Sequence, residues 1–236
     1  QALIADKDPH VMVGCQLLGI SYDEFVARRK AGDRQVEEIR DLSKPGNFGY
    51  MGGQGAKRFK EYVKQFGIDI SLEMSTKIKN SWAATWRPQG YFQWINSLIN
   101  EDTGFGNVVL SSGVIRGMCR YTVACNTPFQ SRAAYGAKEA MWQLFKEMYL
   151  IRSSDLYGSR MVNFVHDEFL NEVPEEHAHP AAMRIKQIME ESMMVWTPNV
   201  PQKVSPVLMR WWDKKAKPIV DDEGNLIPYG DDQESV

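Results

Sequence analysis

Cysteine is scarce in this chain. Cys15, Cys119 and Cys125 are the three in 236 residues, and they lack paired ligand spacing. That argues against a disulfide framework and a zinc site, and a reducing compartment is the natural reading. Long apolar runs are missing too: no stretch is long enough to span a bilayer, and no signal peptide opens the chain. Charge of one sign is not in excess either. The net charge is −2 at pH 7, so a polyanionic partner would need a local basic surface. What remains is ordinary globular composition, 43% hydrophobic and 25% charged, long enough to bury a real core in one large or two small domains. The chain begins at Gln1 rather than Met and is rich in pattern from the outset, from which a piece of something longer is expected.

Local signals give the order of elements. Asp8-Pro9 reads as an N-cap with proline in the first turn, opening an apolar helix from Val11 to Leu18. Ser21-x-x-Glu24 resembles a capping box for a short helix through Arg29, and Gly32-Asp33 breaks the pattern before a segment from Gln35 to Tyr50. Phe59, Tyr62, Val63 and Phe66 recur at helical spacing, with Gly67 as the stop. Residues 71–100 hold more helix, interrupted at Arg87-Pro88. Short strands are expected around Val108–Leu110 and Cys119–Val123, followed by a helix whose stripe of Ala133, Ala134, Ala137, Ala140, Met141, Leu144, Phe145 and Met148 reads as core-facing. A helix near Pro180–Trp196 and a last strand at Val204–Met209 follow. The tail from Asp221 is acidic and poor in apolar residues, so a solvated, partly disordered segment is expected. Helices first, then mixed helices and antiparallel strands, give an α+β fold class.

Two constellations carry chemistry. Met161–Val165 and Phe169–Val173 are rich in β-formers and flank His166-Asp167-Glu168, a strand–turn–strand pattern. Carboxylates at such a tip are hard oxygen ligands suited to Mg²⁺, although an ordinary acidic turn has the same pattern. Arg40, Lys44, Phe48 and Gly52 recur every four residues and would share one face of a helix. Two cations and an aromatic ring on that face could grip a polyphosphate and stack on a base or sugar. The segment RDLSKPGNFGYMGG opposes a helix through Pro45, Gly46, Gly49, Gly52 and Gly53, so a plain glycine-rich loop after Lys44 is the alternative. Rules broken in this way often mark a functional site.

These residues resemble the family A (DNA polymerase I-like) DNA polymerases. Arg40-x3-Lys44-x3-Phe48-Gly49 looks like that family's nucleotide-binding fingers helix, about residues 35–52, and Val165-His166-Asp167-Glu168 looks like its palm hairpin. Asn126-x-Pro128-x-Gln130 is similar to the segment that follows the primer-template minor groove, and Asp8-x-His10 resembles the Asp-x-His upstream of the fingers helix. Leu208-Met209-Arg210 and Trp212 look like the bacteriophage-type branch. The resemblance implies a helical fingers subdomain over 1–100, an antiparallel palm portion over 101–220 with its hairpin at 161–173, and an acidic tail over 221–236. It implies transfer of a dNTP to a primer 3′-OH with two Mg²⁺ ions. Asp167 would bind both, with Glu168 assisting, and His166 would sit at the primer terminus. His10, Arg40 and Lys44 would hold the triphosphate, Phe48 would pack on the nucleotide, and Asn126 and Gln130 would reach the DNA minor groove. Asp8 reads as a helix cap rather than a metal ligand. Primer-template DNA and dNTP are the implied partners, with no membrane, in a cytoplasmic setting (the host's, if phage-encoded).

Departures narrow that expectation. The family's other metal-binding carboxylate lies in an upstream Asp-x-x-x-Ile/Leu-Glu strand, which the seven residues before Asp8 cannot supply. We therefore expect an upstream polypeptide to carry the rest of the palm, the thumb and any exonuclease, and this chain to be inactive without it. Gly52 stands where many members carry a tyrosine, and Tyr50 points to another face. Tyr135 falls where cellular members have an aspartate, and Ser131-Arg132 replace a smaller pair. A catalytically inactive DNA-binding or structural remnant is the alternative. The related single-subunit RNA polymerases are disfavoured by Glu168 and Phe48, and an unrelated metal phosphohydrolase is more distant.

Overall fold

The computed structural model describes residues 5–230, which fall into two compact units that divide between Ser131 and Arg132. The first unit is built on helices α1 (Pro9–Leu18), α2 (Tyr22–Lys30), α3 (Arg34–Met51), α4 (Ala56–Lys64), α5 (Leu72–Trp86) and α6 (Gln89–Leu98). Each of the first three starts at a side-chain cap: Asp8 accepts from the His10 and Val11 amides, Ser21 from Glu24, and Asp33 from Gln35. Their apolar faces meet in one core of Val11, Val13, Leu17, Phe25, Val36, Ile39, Leu42, Tyr50, Phe59, Val63, Ile78 and Trp82. Gly14 is required by this packing. A β-carbon there would lie 2.7 Å from the Phe25 ring, so α2 could not seat against α1.

Helix α3 runs unbroken through Pro45, Gly46 and Gly49. Proline in a helix costs about 3 kcal/mol and each glycine about 1. Burying Val36, Ile39 and Leu42 returns about 1.5–3 kcal/mol apiece, and the fully buried Tyr50 ring adds more. Burial therefore outweighs propensity, and the loop alternative after Lys44 is set aside.

Strands β1 (Gly106–Val109) and β2 (Ile115–Cys119) pair antiparallel and cover a smaller core of Ile95, Val108, Cys119, Ala124 and Cys125. The second of these strands was expected at Cys119–Val123, but helix α7 (Tyr121–Tyr149) has already begun there. The β-formers Tyr121, Thr122 and Val123 are overruled by burial of Ala124, Cys125 and Thr127 on one side of a helix. Helix α7 also takes in Asn126, Pro128 and Gln130, which the sequence placed before the helix.

In the second unit, Ala140, Leu144 and Met148 of α7 pack with Leu156, and with Ala181 and Ile188 of α8 (Ala178–Trp196). The expected core stripe is narrower than its eight residues: Ala133, Ala134 and Phe145 are exposed. Strands β3 (Arg160–Val165) and β4 (Glu168–Glu172) form an antiparallel hairpin whose Met161 and Phe169 lean on this core. Strands β5 (Leu208–Met209), β6 (Ile219–Val220) and β7 (Leu226–Tyr229) make a small sheet in the order β5-β7-β6. This corrects two expectations. The strand at Val204–Met209 is only two residues long and is not the last. Residues 221–230 form a turn and strand rather than a disordered tail, while 231–236 lie outside the described residues. The turn is held by the Asp221 carboxylate, which accepts from the Glu223 and Asn225 amides. The Leu226 amide donates to His179 Nδ1 at 2.7 Å, so His179 pins a strand. Among the described residues no helix is long and apolar enough to cross a membrane.

Candidate functional site

In the first unit the four-residue spacing on α3 brings Arg40, Lys44 and Phe48 onto one outward face, and the start of α1 lays Asp8 and His10 beside it. Lys44 is exposed, and the Phe48 ring is 68% exposed with its centroid 6.0 Å from that of His10. A phenyl ring so open gains little from burial, and a flat aromatic surface next to cations suits a nucleotide. Gly52 is the C-cap rather than a helical residue, so it ends this face. Tyr50 points the other way. Its ring lies 4.7 Å from Phe59 and its hydroxyl donates to the Ser75 carbonyl, so it cannot serve a ligand on this face. Burial pushes its phenol well above the ordinary range.

Arg40 is not loose. Its Nε and Nη2 reach the same Asp8 oxygen at 2.9 and 2.8 Å, while the other Asp8 oxygen caps α1. Burial alone would raise the Asp8 carboxyl, but the His10 amide and the Arg40 guanidinium outweigh it and hold it below its ordinary value. This agrees with reading Asp8 as a cap and adds a partner that its motif did not reveal. His10 is half-buried. Burial, with Arg40 and Lys44 nearby, lowers its pKa against the opposing pull of Asp8. Its Nδ1 lies 2.8 Å from Asn47 Nδ2, and Asn47 Oδ1 accepts from Trp86 Nε1 at 2.8 Å. Sequence reasoning missed Asn47 and Trp86. The signal for Asn47 was available, since it lies three residues after Lys44 and therefore on a neighbouring strip of the same helix.

Asn126 meets the end of this helix. A β-carbon on Gly52 would stand 2.7 Å from Asn126 Nδ2 and 2.8 Å from its Oδ1, so the asparagine occupies the space a side chain at 52 would need. One Asn126 N–H is used on the Thr122 carbonyl at 2.9 Å, which leaves the other for a ligand. Gln130, one turn on, is exposed.

In the second unit the hairpin turns in two residues, with Val165 paired to Glu168 across His166 and Asp167. His166 has φ +58°, the left-handed region, and Asp167 does not share it. Positive φ at the first loop position alone is the type II′ pattern, which ordinarily takes glycine there. A histidine in that conformation costs about 1–3 kcal/mol, and such strain concentrates at functional sites. His166, Asp167 and Glu168 are all exposed, and Glu168 opens β4 rather than sharing the tip. Among the described residues no group of three or more His, Cys, Asp or Glu side chains comes together as a metal cage.

The helix face with its exposed ring and the carboxylate-tipped hairpin are the two features on which the sequence resembles the family A DNA polymerases. The sequence profile of DNA polymerase family A matches residues 1–214, and the chain belongs to that family. It is 28% identical over 222 residues to DNA polymerase I of Aquifex aeolicus, covering 88% of this chain and 36% of that protein. It is 27% identical over 232 residues to DNA polymerase I of Deinococcus radiodurans, covering 91% of this chain and 21% of the other. In fold it is similar to the POL domain of Pol1 from M. smegmatis, solved in complex with DNA primer-template and dNTP. That likeness has a TM-score of 0.63 at 22% identity and covers 87% of this chain and 34% of that one. The mixed build of helices and small, mostly antiparallel sheets is thus that of a polymerase domain fold. The chain spans about a third or less of the length of these relatives.

Proposed function

We propose that this chain supplies fingers and part of the palm to a DNA-directed DNA polymerase that adds a dNTP to a primer 3′-OH. The observation that carries the reading is the α3 face, where Arg40, Lys44 and exposed Phe48 gather beside His10. Lys44 and Arg40 would spread the triphosphate charge and align it, which is positioning and electrostatic catalysis. His10 would hydrogen-bond a phosphate oxygen, and Phe48 would pack on the nucleotide. Asn126 and Gln130 would donate to minor-groove acceptors, which every base pair offers, so they check shape rather than sequence. Residues 1–100 would form the fingers and 101–220 the palm portion. Leu208-Met209-Arg210 with Trp212 supports a bacteriophage-type member, acting in host cytoplasm.

Asp167 and Glu168 are hard oxygen donors, adjacent and open to solvent, so their chemistry fits Mg²⁺. With no third ligand gathered beside them among the described residues, a further carboxylate would come from an upstream polypeptide. When bound, two Mg²⁺ ions would clamp the entering and leaving oxygens of an in-line displacement. His166, held at the turn, would meet the primer terminus.

Primer extension tests this. The chain alone should show no extension. Mixed with the palm and thumb of a family A polymerase it should incorporate dNTP in preference to rNTP, and Asp167→Ala should abolish that. Robust extension by the chain alone, or activity indifferent to Asp167→Ala, would overturn the proposal.

A further inference from the structure

We infer that Asn47 and Trp86 are positioning residues that hold His10 as the neutral Nε2–H tautomer, so that the α3 face offers a phosphate a fixed donor rather than a third cation. The inference rests on the reading of that face as a triphosphate site.

The argument is one of donors and acceptors. An indole N–H can only donate, so the atom of Asn47 that lies 2.8 Å from Trp86 Nε1 is the carbonyl oxygen. On the other side of the same amide, the Pro9 carbonyl can only accept, and it lies 3.2 Å from Asn47 Nδ2. Two partners of opposite kind therefore fix the amide orientation independently of each other. The group facing His10 Nδ1 at 2.8 Å is then NH₂, which donates and cannot accept. His10 Nδ1 must accept, so it carries no proton, and the single ring proton of the neutral form sits on Nε2. The His10 ring hydrogen bond among the described residues is made at Nδ1, and none is made at Nε2.

Protonating His10 would point a second N–H at an NH₂ group, and the charged surroundings oppose it further. Arg40 and Lys44 face it from α3, Asp8 faces it from the start of α1 and partly offsets them, and the contribution from α5 is the uncharged Trp86. The arrangement separates two tasks. Arg40 and Lys44 supply charge, and His10 supplies a directed hydrogen bond whose strength does not change as pH falls toward the ordinary histidine range.

The test is the imidazole ¹⁵N spectrum of the uniformly labelled full chain, with His10 identified by its loss in His10→Gln. Wild type should show an unprotonated acceptor at Nδ1 and an N–H at Nε2, without titrating near pH 6.5. Asn47→Asp replaces the donor by a charged acceptor, so the proton should move to Nδ1 and the titration should rise by about one pH unit or more. Trp86→Phe keeps an aromatic side chain but removes the N–H that fixes the Asn47 carbonyl, so mixed tautomers are expected. It also serves if Asn47→Asp fails to fold. A wild-type proton on Nδ1, or a tautomer unmoved by both substitutions, would overturn the inference. Inorganic tripolyphosphate is then added to the same sample. A shift of the Nε2 resonance, weakened about 2- to 10-fold in affinity in Trp86→Phe, supports the role. A fixed tautomer with no response to tripolyphosphate would instead overturn the triphosphate reading, so the two failures are distinguishable.

Discussion

Arg40 and Asp8 stand 32 positions apart, yet one Asp8 oxygen takes both the Nε and the Nη2 of Arg40 while the other caps α1. A single carboxylate thus ties the start of one helix to the cation of another. The guanidinium is pre-oriented, and its Nη1 lies 3.8 Å from the exposed Asp41 carboxylate.

Asp8 should therefore mark the acid limb of stability. Its folded pKa lies below the ordinary 3.8, so its contribution is fully present above that value and is lost as pH falls through it toward the folded pKa. Asp8→Asn keeps a good cap and removes the ionisation, so urea midpoints should fall less steeply below pH 4. Asp8→Ala should cost about 1 kcal/mol more than Asp8→Asn at pH 7, through the lost cap.

The space over Gly52 should show as coupling. Gly52→Ala would drive its β-carbon into the Asn126 amide and break the bond to Thr122, at a cost of about 0.5–1.5 kcal/mol. In an Asn126→Ala background the same change should be neutral or stabilising. A double-mutant cycle by urea unfolding would measure about 1 kcal/mol of interaction, and additive effects would place Asn126 elsewhere.

Strain at the hairpin predicts a trade between stability and activity. His166→Gly relieves the φ of +58° but adds chain entropy, so the hairpin should unfold no more easily and gain up to about 1 kcal/mol. Primer extension by the complemented enzyme should fall. A loss of stability would mean that the histidine side chain holds the turn.

Gly14→Ala should destabilise the first unit by about 1–3 kcal/mol, because its β-carbon would stand 2.7 Å from the fully buried Phe25 ring. Thermal unfolding followed by tryptophan fluorescence, to which buried Trp82 contributes, reads this.

Much of the site was legible because its spacing is local. Arg40, Lys44 and Phe48 mark a helix face by their separation alone, and the β-formers around His166-Asp167 mark a hairpin. What was illegible depends on contacts distant in sequence. Nothing near Leu226 announces that its amide will meet His179, 47 positions away, so its strand read as part of a solvated, partly disordered tail. The start of α7 was masked by the β-formers at 121–123, whose fate is set by the burial of Ala124 and Cys125. Phe145 shares a helical stripe with Leu144 and Met148, but periodicity does not say how wide a stripe the neighbours cover. The part Asn47 plays depends on Trp86, 39 positions away, and on His10, 37 positions away.

The most direct measurement is equilibrium binding of Mg²⁺-dNTP to the full 236-residue chain. Lys44 is exposed, so Lys44→Ala should leave stability within about 0.5 kcal/mol. Yet it should weaken dNTP binding about 10-fold or more, the loss expected for a charge-assisted phosphate contact. Lys30→Ala, another exposed cation, on α2, should change nothing, and added salt should weaken wild-type binding. Affinity unchanged in Lys44→Ala, or reduced equally in Lys30→Ala, would contradict the assignment of the α3 face.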